Sequence, residues 1–471
     1  MRPGVPSLVA IAFAVALRAS AATAATAARG PYLQDLGSRQ AAVMLELDEP
    51  LPATLEVRSG AMGPDTDAPV ATASGGAALS QELTVGGLTP ATSYRYLVKA
   101  GSLLERGTFT TAPEDDRPYS FIVYGDNRSD AAAHAAIVRQ IAQTPGDFLI
   151  NTGDMVYDGS DVAEWNGFFA QERELLRGRC LFPAIGNHEI AMPMSDGALR
   201  YARAFRVPGP IDAQERWYSF RWGDARFFVL DAHDDFASAE LAWLERSLAA
   251  ADAEPGLVWR FTVLHYGPYS SGPHGRNLAL HVARVPELLR AHKIDLVFAG
   301  HDHVYERGET DGLRWIVRGG AGAPLYRRMR AESGSQRFEA TFHFLRIELT
   351  KTSGVLTTLR PDGSLLERCA FPNGGDGGWG CNIAAAAPPP SATGSAATVS
   401  SAPVAAPPAP PLAATTPQRR SCGCSQVGGP IEWLGLAAST ALVAGSAVRR
   451  KGRKRPPSQP PPGGEDPSAR R

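Results

Sequence analysis

Two hydrophobic rhythms divide the chain. Between residues 29 and 113, short runs alternate apolar and polar positions between turn-forming residues: "AAVMLEL", "ATLEVRSG", "SQELTVGGL", "TSYRYLVKAG" and "RGTFTTAP". A period of two is that of a strand with one buried face, so a small all-β sandwich is expected here. In "GLTPATSYRYLV", Tyr94 and Tyr96 fall on one face. A tyrosine entering a strand after a sandwich corner is placed to hydrogen-bond back to the preceding backbone.

From residue 117 to 371 the rhythm changes to apolar runs that alternate with amphipathic stretches. "YSFIVYGD", "DFLINTGD", "CLFPAIGNHE", "LVWRFTVLHY" and "IDLVFAGHDH" each read as a buried strand ending in polar residues. "SDAAAHAAIVRQIAQ", capped by Ser129 or Asp130, "ASAELAWLERSLAAAD" and "LHVARVPELLRAHK" read as helices. "WYSFRWGDARFFVLDA" reads as a hairpin turning at Gly223-Asp224. "LRWIVRGG", "TFHFLRIELT" and "GVLTTLRP" add late strands. The fold class expected is α/β, two sheets flanked by helices, preceded by the all-β sandwich.

The ends carry other signals. Residues 1–27 hold an early arginine, an apolar stretch from Leu8 to Leu17 and Ala-Thr-Ala repeats, the layout of an export signal peptide. Residues 372–430 form a Gly/Pro/Ala-rich linker, expected to be disordered, and 456–471 a disordered tail. In 431–455 an apolar span precedes "RRKGRKR". The cysteine motif, apolar span and arginine cluster resemble the C-terminal sorting tags of bacterial surface proteins; a transmembrane tail anchor is the alternative. Either reading places an exported protein at the cell surface, with the membrane or cell envelope as partner through this segment.

Composition adds little. Of 471 residues, 44% are hydrophobic and 20% charged, as in a globular protein. A net charge of −1 argues against nucleic acid as a binding partner. Among the 5 cysteines, Cys369 and Cys381 flank a glycine-rich loop and are candidates for a disulfide, whereas Cys180 sits in an apolar run as a buried thiol.

The chemistry lies at the strand tips. "GDNR" offers Asp126, "GDMVYD" Asp154 and Tyr157, "GNHE" Asn187 and His188, "VLHY" His265, and "GHDH" His301 and His303. Each tip alone is ordinary, since Gly-Asp after a strand is a common turn. Together they can converge, because ligands in open α/β sheets bind outside the carboxyl ends of strands. Carboxylate, imidazole, phenolate and amide oxygen suit iron, manganese and zinc. Alternation along the chain lets His301 and His303 serve different metals, with Asp302 facing elsewhere.

These motifs, in this order, resemble the metallophosphoesterase superfamily and within it the purple acid phosphatases. The N-terminal stretch is similar to a fibronectin-III-like module. "GDNR" has Arg128 where many relatives carry histidine, and the tyrosine of GD-x-x-Y takes over that role. The fourth motif, "FTVLH", departs slightly from the family pattern within its strand. The resemblance implies that Asp126, Tyr157 and His303 hold Fe(3+). Asn187, His265 and His301 would hold a second divalent metal (Fe, Zn or Mn), and Asp154 would bridge. It implies acid phosphatase activity on small-molecule or protein-borne phosphomonoesters, by attack of a metal-bound hydroxide. His188 is the catalytic proton donor implied, and His274 a catalytic and substrate-binding histidine. Arg128 either binds substrate or forms a salt bridge to Asp130 or Glu189. A phosphodiesterase on the same fold and a catalytically inert surface-binding protein are the alternatives. Tyr305, Glu306 and Arg307 are expected to stiffen a loop. His134, His281 and His292 are expected at the surface, His233 at a pocket rim, and His343 in packing.

Overall fold

The structure is a computed structural model and describes residues 26–190, 196–210, 213, 215–233, 238–375 and 377–382. An N-terminal sheet is built from β1 (Ala27–Gln34), β2 (Gln40–Ser59), β3 (Ala71–Gly86), β4 (Ser93–Ala100) and β5 (Leu103–Thr110). The runs "AAVMLEL" and "ATLEVRSG" are one strand, β2, rather than two. Its pairing with β3 slips between Glu46 and Ala53, where Pro50 and Pro52 have no N–H to give the ladder. Tyr94 and Tyr96 are both buried, and the Tyr94 hydroxyl accepts from the Thr89 amide at 2.9 Å. Tyr96 reaches across to donate to the Arg177 carbonyl at 2.9 Å.

The α/β part follows in chain order as β6 (Tyr119–Tyr124), α1 (Ala131–Gln143), β7 (Phe148–Asn151), α2 (Val162–Leu176), β8 (Leu181–Pro183), α3 (Asn187–Ile190), α4 (Gly197–Ala204), β9 (Tyr218–Trp222) and β10 (Ala225–Leu230). It continues as α5 (Ser238–Asp252), β11 (Trp259–Leu264), α6 (Leu278–Val282), α7 (Val285–Ala291), β12 (Leu296–Ala299), β13 (Tyr305–Thr310) and β14 (Leu313–Arg318). It ends with β15 (Ser335–Glu339), β16 (Phe344–Leu349), β17 (Ser353–Leu359), β18 (Leu365–Pro372) and β19 (Gly380–Cys381).

Two sheets of seven strands result, in the orders β19-β18-β17-β16-β6-β7-β8 and β15-β13-β14-β12-β11-β10-β9. The neighbours β6-β7-β8 run parallel in the first sheet, and β14-β12-β11-β10 in the second. Period two explains their near-continuous hydrophobicity. In β6, Phe121 and Val123 face the core between the sheets, whereas Ile122 and Tyr124 face α1 and α2. Phe121 sits 5.1 Å from Phe148 and 5.2 Å from Phe227, joining the sheets through rings. Residues such as Phe228, Val297 and Trp315 face α5 to α7 on the far side. The result is a double β-sheet sandwich flanked by helices, of the metallophosphoesterase type, behind a small all-β sandwich.

Some expectations hold and others change. Residues 373–375 and 377–382, within the expected linker, are described: the disulfide Cys369–Cys381 and the pairing of β18 with β19 tie this stretch to the sheet. Cys180 is a buried free thiol. Tyr305, Glu306 and Arg307 lie in strand β13, not a loop. His134 is buried on the inner face of α1, with Ile137 and Ile141, and its Nε2 is 3.1 Å from the Glu172 carboxylate. His281 and His292 are half-buried, and His343 packs in the core. The expected transmembrane segment is not upheld: no helix among the described residues is long and apolar enough to cross a membrane. Residues 1–25, the rest of the linker, 431–455 and the tail lie outside the described residues.

Tyr94→Phe would remove the acceptor of the Thr89 amide. The expected loss is about 1–2 kcal/mol in urea unfolding; an unchanged midpoint would count against the corner bond.

Candidate metal centre

The parallel strands end along one edge, and the polar tips meet there. Asp126 follows β6, Asp154 follows β7, and Asn187 and His188 begin α3 after β8. His265 follows β11, and His301 and His303 follow β12. Three of these residues sit in the left-handed backbone region: Asp126 (φ 54°), Asp154 (φ 57°) and His301 (φ 70°). This conformation costs non-glycine residues roughly 1–2 kcal/mol each and clusters at functional sites. Glycine is required beside them. A Cβ on Gly186 would strike Asp154 Oδ1, and one on Gly300 would meet Asp126 Oδ2 at 2.5 Å.

Ligand atoms of Asp126, Asp154 and His303 lie within 4.8 Å of one another. The Pro324 carbonyl sits 2.7 Å from His303 Nδ1 and can only accept, so Nδ1 carries the hydrogen and Nε2 turns its lone pair to Asp126, 3.6 Å away. The Thr152 carbonyl does the same for His265, 2.8 Å from Nδ1. His265 Nε2 then faces Asp154 Oδ1 at 3.2 Å and Asn187 Oδ1 at 3.1 Å. Such carbonyl contacts fix the tautomer that a metal requires. His301 stands on the His265 side, with ring centroids 5.1 Å apart, and its backbone N–H donates to both oxygens of Asp126 at 3.1 Å. His301 and His303 therefore face different halves of the cluster, and Asp154 lies between the halves. Asp302 faces elsewhere, accepting from Ser270 and facing His274 Nδ1.

The electrostatics match a cation cage. Burial, then the neighbouring Asp154 charge, pushes the Asp126 carboxyl well above the ordinary range. Burial acts on Asp154 too, but His265, His188 and Arg128 outweigh it and bring Asp154 below that range. Burial lowers His265 and His303 to about 4. It lowers His301 further, with help from the surrounding imidazoles. Three neutral imidazoles and a pair of fully buried carboxylates form a donor set that fits hard or borderline cations, and without cations the carboxylates repel.

Tyr157 is the exception among the expected ligands. It is 58% exposed, and its ring lies at the rim, 5.2 Å from His188 and 5.7 Å from the Arg128 guanidinium carbon. Arg128 pairs with neither Asp130 nor Glu189. Asp130 caps α1, and Glu189 is taken up by backbone amides. Arg128 Nε instead donates to Asp154 Oδ2 at 3.1 Å, and Nη2 is 3.3 Å from His303 Nε2. His188 Nδ1 is 2.5 Å from the Tyr157 carbonyl, and Nε2 is 3.8 Å from Asp154 Oδ2. His274 Nδ1 faces Asp302 at 2.8 Å, and its ring lies 3.9 Å from that of His301.

Sequence reasoning missed the part played by Glu189. Fully buried, it accepts from the amides of Asp154 (2.8 Å), Gly186 (2.7 Å) and Met155 (2.7 Å), tying two ligand loops together. Burial, then Asp154, raises its carboxyl to about 8. The acid after "GNH" was its only signal. Arg318 was missed as well: fully buried, it donates to Thr152 Oγ1 at 2.6 Å and adds a positive charge near Asp126.

Residues 119–305 match the family model described as calcineurin-like phosphoesterase. An uncharacterized protein of Mycobacterium tuberculosis is 26% identical over 295 residues, 54% of this chain and 54% of its own. A purple acid phosphatase of Arabidopsis thaliana is 29% identical over 261 residues, 47% of this chain and 56% of its own. The chain thus spans about half the length of these curated relatives. The solved structure of a purple acid phosphatase from yellow lupin (Lupinus luteus) seeds superposes with a TM-score of 0.61 at 17% identity, over 73% of this chain and 74% of that one. Family match, fold and donor set support the calcineurin-like metallophosphoesterase superfamily, at low sequence identity.

A base with a depressed folded-state pKa stays neutral in the folded protein while the unfolded chain protonates near its ordinary 6.5. The neutral rings' contribution to stability is therefore complete above 6.5 and lost as pH falls toward about 4. Bound metal should survive dialysis at about pH 5.5 and be released at about pH 3.5, read by elemental analysis. Full release at the higher value would contradict the imidazole environments.

Proposed function

We propose that this chain is an exported acid phosphatase of the purple type, hydrolysing phosphomonoesters at a dinuclear centre. One observation carries the reading: Asp154 is buried between two donor groups, 3.2 Å from His265 and within 4.8 Å of Asp126 and His303. A carboxylate so placed suits a bridge between cations. Asp126, His303 and Tyr157 would hold Fe(3+), with Asn187, His265 and His301 on a second divalent ion (Fe, Zn or Mn). Bound there, the metals would supply a hydroxide nucleophile at low pH and offset charge on the phosphate oxygens.

The chain's own residues do the rest. Arg128, beside Asp154 and His303, and His274, beside His301, are groups available to orient phosphate oxygens. His188 is anchored through Nδ1–H on the Tyr157 carbonyl, so Nε2 can hand a proton to the leaving oxygen from the doubly protonated ring, which becomes neutral in the step. Tyr157 would act as a phenolate ligand by turning its ring inward from the rim, which requires Arg128 to yield its place beside Asp154. Export is supported by the disulfide between Cys369 and Cys381, a bond that persists in oxidising compartments.

Asn187→Ala and His265→Ala should each lower phosphomonoester turnover by roughly a hundredfold or more and deplete one metal; full turnover in either would refute the assignment. The iron-loaded protein should show a phenolate charge-transfer band in the visible that disappears in Tyr157→Phe. Full iron content without such a band would remove the purple assignment alone. A panel of mono- and diesters should give the higher kcat/KM on monoesters, and the opposite ranking would make the enzyme a phosphodiesterase.

A further inference from the structure

We propose that His233 and Asp231 form a subsite that reads the leaving group of the ester, with His233 Nε2 accepting a hydrogen bond from a hydroxyl near the ester oxygen. The substrates it favours are then phosphorylated polyols or sugars. The inference rests on the phosphatase reading of the adjoining centre.

His233 follows β10, whose carboxyl end lies beside that of β11. Ala232, at φ 54°, turns the chain there. The Asp231 carboxylate is 2.6 Å from His233 Nδ1. Asp231 is itself buried and paired with Arg216, which keeps it an acceptor. Nδ1 therefore carries the hydrogen and Nε2 presents a lone pair. The ring is held by Tyr266, 4.7 Å away, and lies parallel to His265 at 6.5 Å. The His233 side chain is 7% exposed, and Nε2 is buried with no hydrogen-bond partner among the described residues.

An open cavity of about 290 Å³ adjoins it, lined also by Tyr266, His274, Arg276, Asn277 and His301. Other polar groups on its wall are committed. Arg276 bonds Glu332, Asn277 caps α6 and donates to the Ala232 carbonyl, and His274 faces Asp302. The cavity reaches His301, so a phosphate ester held at the cluster would extend its leaving group here. A fully ionised phosphate oxygen has no hydrogen to offer an imidazole lone pair, whereas an alcohol has. A buried acceptor left dry is penalised, so an ester lacking the hydroxyl should be disfavoured.

The test compares glycerol phosphate with p-nitrophenyl phosphate on the metal-loaded full chain. In His233→Phe the ratio of kcat/KM for glycerol phosphate to that for p-nitrophenyl phosphate should fall about tenfold or more, mainly through KM. His233→Gln, which keeps an acceptor oxygen, should retain most of the ratio, and Asp231→Asn should behave like His233→Phe. Metal content by elemental analysis should be unchanged in His233→Phe and His233→Gln. Equal losses on both esters, an unchanged ratio, or loss of metal would overturn the subsite while the phosphatase reading stood. A wild-type chain that hydrolyses neither ester would remove both.

Discussion

Asp154 is a fully buried carboxylate with a second one, Asp126, close by, and most of the surrounding structure answers that fact. Burying an ionised carboxylate costs several kcal/mol unless charge or hydrogen bonds offset it. Here the offset comes from several directions: Arg128 at 3.1 Å, the His188 amide at 3.1 Å and the His265 imidazole at 3.2 Å. Arg318 adds positive charge near Asp126. None of these groups comes from the same tip as Asp154, so the charge can be buried only if several strand ends arrive together.

That requirement explains the backbone. The parallel strands of both sheets finish at one edge, and ligand positions after β6, β7 and β12 adopt left-handed angles that point their side chains inward. The strain is held by rigid surroundings. The ring layer centred on Phe121 fixes one sheet against the other, and Glu189 ties the Asp154 loop to the Gly186 turn. The glycines beside the ligands leave room that any Cβ would fill. Packing, hydrogen bonding and site geometry are thus one problem with one solution.

A division of labour follows within the site. Imidazoles that touch the donor cluster are oriented by backbone carbonyls, as His265 by Thr152 and His303 by Pro324. The imidazoles toward the outer cavity, His233 and His274, are oriented by carboxylates, Asp231 and Asp302. A carbonyl fixes a tautomer without adding net charge, which suits a lone pair aimed at a cation. A carboxylate accepts the Nδ1 hydrogen in the same way and leaves Nε2 for other partners.

Much of this was legible in the linear order of residues. Strand period, turn glycines and helix caps placed many of the elements, since these depend on neighbours along the chain, but helix α2 was not read. The recurrence of ligand types at strand ends pointed to a candidate donor set, because parallel α/β topology brings carboxyl ends to one edge. Other features were hidden. Helix α4 lies in an irregular stretch, and β2 continues through prolines that read as breaks. His134 looked like a surface residue because its partner, Glu172, is on another helix. The position of Tyr157 at the rim, the pairing of Arg128 with Asp154 and the orphan nitrogen of His233 were decided only in three dimensions. Residue type and spacing determine which groups can bind a cation or accept a proton. Which of them are buried, and what they face, depends on contacts between segments remote in sequence, and only the folded chain contains those.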